Sequence, residues 1–273
     1  MRPLLDLSII ENAATRVREV ASPSAFEQHK RLSALHDANI WVKREDLHAV
    51  RSFKIRGAYN KISLLNQSER KRGVVCSSAG NHAQGVAYAC SHHKIHGTIF
   101  MPSPTPQQKV SQVAMFGGDY VTIELTGDTY DDCYEAAQSF VAETKKTFIH
   151  PFDDEEVIAG QATMALEILE QADAPIDYII VPIGGGGLIS GIINVFKHKS
   201  PKTKIIGVEP KGAPSMHESL RQKKRVTLES LDVFVDGAAV KTIGEIGFDY
   251  CSEYIDDLVL VDEGEICQNI LNM

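Results

Sequence analysis

Short, uninterrupted apolar runs alternate with amphipathic stretches along nearly the whole chain, and this alternation restricts the fold more than any other feature. Strand-like runs fall at residues 40–43, 73–76, 97–101, 120–123, 178–181, 204–208 and 258–261. Helical periodicity fills 52–65, 81–93, 106–116, 129–145, 155–171, 188–198 and 243–253. Several of the runs are continuous and rich in Val and Ile, the pattern of a parallel sheet covered on both faces. The spacing predicts an α/β fold with right-handed crossovers and ligand sites at the carboxyl ends of strands. A length of 273 residues suits one large or two medium domains. Crossing points between two lobes are expected near residues 50 and 150, the second punctuated by Pro151 and the acidic run Asp153 to Glu156. The last ten residues, Gly264 to Met273, read as the opening turns of a helix without a C-terminal cap, so the chain is expected to be truncated.

Composition narrows the function classes. The formal charge is −8, which gives no general attraction to nucleic acid or anionic membrane. No apolar run approaches the ~18–20 residues of a spanning helix, and the N-terminus lacks the pattern of a secretory signal. A cytoplasmic protein is expected. The five cysteines are scattered with no C-x-x-C pair, and read as buried or half-buried free thiols. His92, His93 and His96 lie at the polar end of a helical stretch without an acidic or cysteine neighbour, and read as a solvated helix end rather than a metal site.

Three segments carry chemistry. Gly184-Gly185-Gly186-Gly187 directly follows a strand-like run and opens a helix. Consecutive glycines let backbone N–H groups converge at the positive end of a helix, which suits a phosphate. The loop lacks the G-x-G-x-x-G spacing of dinucleotide sites, although Glu209 stands about 20 residues on, where a ribose-binding acid would sit. A nucleotide-dependent oxidoreductase is therefore the runner-up reading. Ser77-Ser78-Ala79-Gly80-Asn81-His82 joins another strand to a helix and gathers hydroxyls, an amide and helix N-terminal N–H groups, a nest for a carboxylate. Third, Lys54 falls behind Phe53 near a helix start, where a cation opposes the macrodipole. That placement favours a depressed pKa and amine chemistry. The neighbouring Lys43, Arg44, Glu45 and Asp46 are expected to form surface or interlobe ion pairs.

A reactive lysine, a phosphate cradle and a carboxylate nest together suit pyridoxal phosphate. Arg51-Ser52-Phe53-Lys54-Ile55-Arg56-Gly57-Ala58, Ser78-Ala79-Gly80-Asn81-His82-Ala83-Gln84-Gly85 and the Gly184–Gly187 loop resemble the three signatures of the fold-type II pyridoxal-phosphate enzymes. More narrowly they resemble the threonine dehydratases. The stretch Phe234-Val235-Asp236-Gly237-Ala238-Ala239-Val240-Lys241 resembles the biosynthetic members, which serve isoleucine formation. The resemblance implies a two-lobed fold, similar to the tryptophan synthase β subunit, of open, mostly parallel sheets flanked by helices. Residues 1–50 and 150–273 would form the large cofactor-binding lobe, its C-terminal part missing, and 51–149 the small lobe. No regulatory domain is expected within these residues.

By matching position, the resemblance makes Lys54 the carrier of the cofactor and the base at Cα. It makes Phe53 a packing partner of the pyridine ring and Asn81 a hydrogen-bond donor to the cofactor's 3′-oxygen. Gly184, Gly185, Gly186 and Gly187 would bind the phosphate, while Ser78, Ala79, Gly80 and His82 would line the substrate-carboxylate site. The implied reaction is β-elimination from threonine, and from serine, by a homodimer or homotetramer. Ala79 stands where the similar serine racemases carry a proton-donating serine, which favours elimination. Glu209 and Ala213 match a cation site of some relatives, but Ser215 stands where those have an aspartate. No metal is expected, and Glu209 reads as a surface acid at a strand end. Because final elements of the large lobe are expected to be missing, the resemblance also implies weak or absent activity in this chain and exposed apolar sheet surface.

Overall fold

The computed structural model describes residues 2–272. The chain separates into two compact units. The first comprises Glu11–Ile149 and Thr163–Pro175, and the second comprises the segment up to Ile10, His150–Ala162 and everything from Ile176 onward.

Helix α1 (Leu7–Val17) leads into the first unit. There β1 (Phe26–Gln28) and β2 (Trp41–Lys43) pair antiparallel, with α2 (Lys30–His36) between them. A short 3₁₀ turn at Glu45–Leu47 precedes α3 (Lys54–Ser63) and α4 (Gln67–Arg72). Four strands follow with intervening helices: β3 (Val74–Ser77), α5 (Asn81–His93), β4 (Gly97–Met101), α6 (Gln107–Gly117), β5 (Val121–Leu125), α7 (Tyr130–Thr144) and β6 (Thr147–Phe148). All pair parallel in the order β5-β4-β3-β6. β3 and β4 are wholly buried because opposite faces of the sheet are covered by different helices. Val74, Cys76, Ile99 and Met101 pack with Ala83, Val86 and Ala87 of α5 on one side. On the other, Val75 and Phe100 meet Cys133 and Ala137 of α7. This is the two-residue alternation of strands, with both faces apolar.

The order reverses at β3. Its chain moves outward through β4 and β5, then returns to add β6 on the opposite side. Such a switch point opens a crevice at the carboxyl ends of the two diverging strands. The loop Ser78–Gly80 leaves β3 at that place.

Helix α8 (Glu155–Gln171) gives its first half to the second unit and its later residues to the first. The second unit continues with β7 (Tyr178–Pro182), α9 (Gly187–Lys199), β8 (Lys204–Pro210), α10 (Ser215–Gln222), α11 (Glu245–Tyr254), β9 (Asp257–Val261) and α12 (Glu263–Asn272). Its strands are parallel in the sequential order β7-β8-β9. Every long element expected from periodicity is present within two residues of its predicted ends. α1, α2, α4, α10, β1 and β6 were not predicted. Most of these are three turns or fewer, too short for periodicity to register. Their signals are local: α4 starts with a reciprocal Asn66–Glu69 capping box, and Gly73 ends it at φ +87°, where a Cβ would stand 2.3 Å from the His96 carbonyl oxygen.

Candidate active-site residues

In the first unit, Lys54 is the first residue of α3 and Phe53 its N-cap. The Lys54 side chain is half-buried, and its Nζ lies 5.4 Å from the Phe53 ring centroid. Burial takes the amine down from 10.5 to about 8, because a charged ammonium is disfavoured away from water. The helix start acts in the same direction, since its unpaired N–H groups repel a cation. α3 runs against α5 with almost no space between the backbones. A Cβ on Gly85 would stand 3.1 Å from the carbonyl carbon and oxygen of Lys54.

Asn81 is the exposed first residue of α5, capped by Gly80. Ser78 Oγ accepts a hydrogen bond from the Gly80 N–H at 3.2 Å, which folds the loop into a turn of converging polar groups. His82 is buried, and its Nε2 lies 2.8 Å from the Ile149 carbonyl oxygen. Since a carbonyl only accepts, Nε2 is the protonated ring nitrogen. The structure thus brings Phe53, Lys54, Ser78, Ala79, Gly80, Asn81 and His82 onto two packed helices and the switch-point loop of one unit.

The glycine loop belongs to the second unit. Gly184 to Gly186 leave β7, Gly186 caps α9 with φ +96°, and Gly187 is the first helical residue. The first N–H groups of an α-helix have no intrahelical acceptor, so this loop offers donors to an anion. Side chains are sterically excluded throughout. A Cβ on Gly185 would fall 2.2 Å from the Phe152 ring, and one on Gly187 would fall 2.9 Å from the Phe152 backbone. Gly184 would meet Ala238 Cα at 3.1 Å. Sequence reasoning assigned four glycines to phosphate binding but missed Phe152, which closes the back of the loop.

Three expectations need correction. Glu209 is fully buried at the end of β8, not on the surface. Its carboxylate accepts from the N–H groups of Met216 and His217, both at 2.8 Å, at the start of α10. Burial pushes this carboxyl up to about 7, against the lowering effect of those two bonds. Among the acid and base pairs near Lys43, only Arg44 with Glu27 and Asp46 is a surface group. Lys43 and Glu45 instead enter a buried network around Arg56. The third concerns the histidine cluster. His93 stacks on Tyr59 with ring centroids 4.6 Å apart, and its Nε2 lies 2.9 Å from Ser63 Oγ, so it is a packed group rather than a solvated one. The thiols fare better: Cys76, Cys90, Cys133 and Cys251 are buried and free, while Cys267 is exposed.

The residues fit a phosphorylated carbonyl cofactor on three structural counts. Lys54 presents an amine depressed to about 8. The glycine loop leaves room for bare backbone alone. Ser52 Oγ, two residues before Lys54, is enclosed and finds no hydrogen-bond partner among the described residues, a position that calls for a ligand atom.

Each unit holds a parallel sheet; the first presents an amine at a helix start and the second a glycine loop at another helix start. The family model described as "Pyridoxal-phosphate dependent enzyme" matches residues 17–273, and the chain belongs to that family. It is 52% identical over 257 residues to the L-threonine dehydratase biosynthetic IlvA of Halalkalibacterium halodurans, covering 94% of this chain and 62% of that protein. It is likewise similar to the processed form of threonine deaminase isoform 2 from Solanum lycopersicum, at 42% identity and a TM-score of 0.88, over 96% of this chain and 77% of the other. Maize serine racemase matches at 32% identity and a TM-score of 0.93, over 98% and 80%. The chain spans 62% of the length of the curated relative. Membership of this family gives pyridoxal phosphate as the cofactor and sets aside the dinucleotide reading of the glycine loop. Among the described residues, no helix is long and apolar enough to cross a membrane.

Proposed function

We propose that this chain carries the β-elimination chemistry of a threonine ammonia-lyase, converting threonine, or serine, to the 2-oxo acid and ammonia in the biosynthetic route to isoleucine. The observation that carries this reading is the amine of Lys54, half-buried at the start of α3 and lowered to about 8. Pyridoxal phosphate, when bound, supplies the electron sink that acidifies the Cα–H of an amino acid.

Every other task falls to the protein's own groups. Lys54 holds the cofactor through its amine. The same amine would take the Cα proton of a bound amino acid, and a pKa near 8 leaves a useful unprotonated fraction at neutral pH. The proton taken up by Lys54 would pass to the β-hydroxyl, which would leave as water; later hydrolysis would consume one water, so threonine would yield 2-oxobutanoate and ammonia with atoms in balance. Gly184 to Gly187 bind the phosphate through backbone N–H groups, and the loop cannot admit a competing side chain. Phe53 would pack against the cofactor ring, and Asn81 would donate to its 3′-oxygen. Ser78, Ala79, Gly80 and His82 receive the substrate carboxylate, with Ser78 Oγ and the α5 N-terminus as donors. Ala79 has no proton to deliver to the opposite face of Cα, which favours elimination over racemisation.

The large lobe of this reading is 1–50 with 150–273, the small lobe 51–149, and the working form a cytoplasmic homodimer or homotetramer. Assay of 2-oxobutanoate from threonine tests the activity. Turnover that disappears in Lys54→Ala supports it, and turnover that persists in that variant overturns the role of the amine.

A further inference from the structure

A buried polar cluster of the first unit surrounds Arg56, two residues after Lys54. The Arg56 side chain is fully buried. Its Nε and Nη2 donate to the two Glu45 oxygens at 2.7 and 2.8 Å. Its Nη1 and Nη2 donate to the two Glu167 oxygens at 2.6 and 2.8 Å, and Nη1 also reaches Thr163 Oγ1 at 3.1 Å. Both carboxylates are fixed in turn. Ser24 Oγ donates to Glu45 at 2.6 Å, and His48 Nε2 lies 3.1 Å from the same group. Lys43 Nζ lies 2.7 Å from Glu167. Burial alone would protonate Glu45, yet the donors from His48, Arg56 and Ser24 hold it at about 2. Two carboxylates therefore face the Arg56 guanidinium, which their contact keeps charged, and the Lys43 amine, which burial lowers from its ordinary value.

Such a network is a poor device for stability, because an apolar cluster of equal volume is frequently as stable. Its distinctive property is direction. A planar guanidinium held by two carboxylates, each gripped at both oxygens, tolerates little rotation. Successive helical residues turn by about 100°, so Arg56 projects about 200° around the first turn of α3 from Lys54. Gly85 already fixes the backbone of Lys54 against α5. With that contact as a fulcrum, α3 cannot roll about its axis without pulling Arg56 out of both carboxylates.

We propose that Arg56, gripped by Glu45 and Glu167, is a positioning residue that sets the roll of α3 and thereby the direction in which Lys54 presents its amine to a carbonyl ligand. This rests on the role given to Lys54 above. It adds a part of the machinery that touches neither cofactor nor substrate.

The test is the pH profile of Lys54 acetylation by acetic anhydride, read by peptide mass spectrometry on the whole 273-residue chain freed of cofactor. Wild type should titrate near 8. Arg56→Lys keeps the charge but loses the fork, and Glu167→Gln loses one grip. In both, α3 is free to roll and the amine gains water, so the midpoint should rise by at least one unit, a tenfold gain in proton affinity. Burial is the cause that lowers the Lys54 amine, so a rise in Glu167→Gln reads water reaching it. Ile62→Val trims a buried side chain of the same helix away from the network, and should leave the midpoint where it is. Should Arg56→Lys fail to give a cooperative unfolding transition, the milder Glu167→Gln decides. Midpoints that match wild type or fall in folded variants overturn the proposal, as does an equal rise in Ile62→Val. Absence of borohydride-fixed pyridoxal phosphate on wild-type Lys54 would instead overturn the functional reading, while the acetylation series still reports on Arg56.

Discussion

The role proposed for Lys54 sets a cost in stability on one side chain. Its folded pKa of about 8 lies below the 10.5 of a free lysine, so the unfolded chain binds the proton more tightly. Stability from this group therefore rises with pH between about 8 and 10.5 and is lowest below 8. Lys54→Met, which removes the buried amine, should raise the melting temperature of the cofactor-free chain at pH 7, by the equivalent of about 1–3 kcal/mol, and the gain should vanish by pH 10.5. An equal gain at both pH values would mean that the amine is not buried. The lysine was legible in the sequence because its neighbours form a motif. Its anchor was not. Arg56 binds Glu167, 111 residues away, and no local pattern distinguishes a buried arginine from a solvated one. Glu209 was misread for a similar reason: its partners are backbone N–H groups of a helix too short to predict.

Among the elements, the loops at strand ends carry the proposed chemistry and the segments packed behind them limit which side chains fit. The glycine loop and α9 were foreseen from four consecutive glycines after an apolar run, and the structure adds the steric reason each is needed. Gly187→Ala places a methyl against the backbone of Phe152, which cannot turn aside as a side-chain tip would. We expect a destabilisation of about 1–3 kcal/mol in thermal or urea unfolding, with weaker pyridoxal phosphate retention on dialysis. An Ala variant as stable and as tightly loaded as wild type would show that the loop is open rather than closed. The topological reversal at β3, by contrast, follows from which strand β6 joins. Two residues, Thr147 and Phe148, make that pairing, and nothing in their sequence announces it.

At the scale of the whole molecule, the sheet of the second unit shows one apolar face to water. Tyr178, Ile180 and Val259 alternate to the same side of β7 and β9 and are 57%, 69% and 44% exposed. Exposed apolar surface of this kind promotes association. Ile180→Thr with Val259→Thr should lower binding of the dye ANS and slow aggregation without lowering the unfolding temperature; unchanged dye binding would mean that this face is covered in solution. The exposed acidic groups that keep the net charge at −8 work in the opposite sense, by repulsion between copies. The proposed chemistry depends on where the cofactor attaches, and borohydride reduction of the chain loaded with pyridoxal phosphate measures that directly. Peptide mapping should find the reduced phosphopyridoxyl group on Lys54 and nowhere else; a chain that takes up no label there, or carries it on a surface lysine instead, contradicts the account.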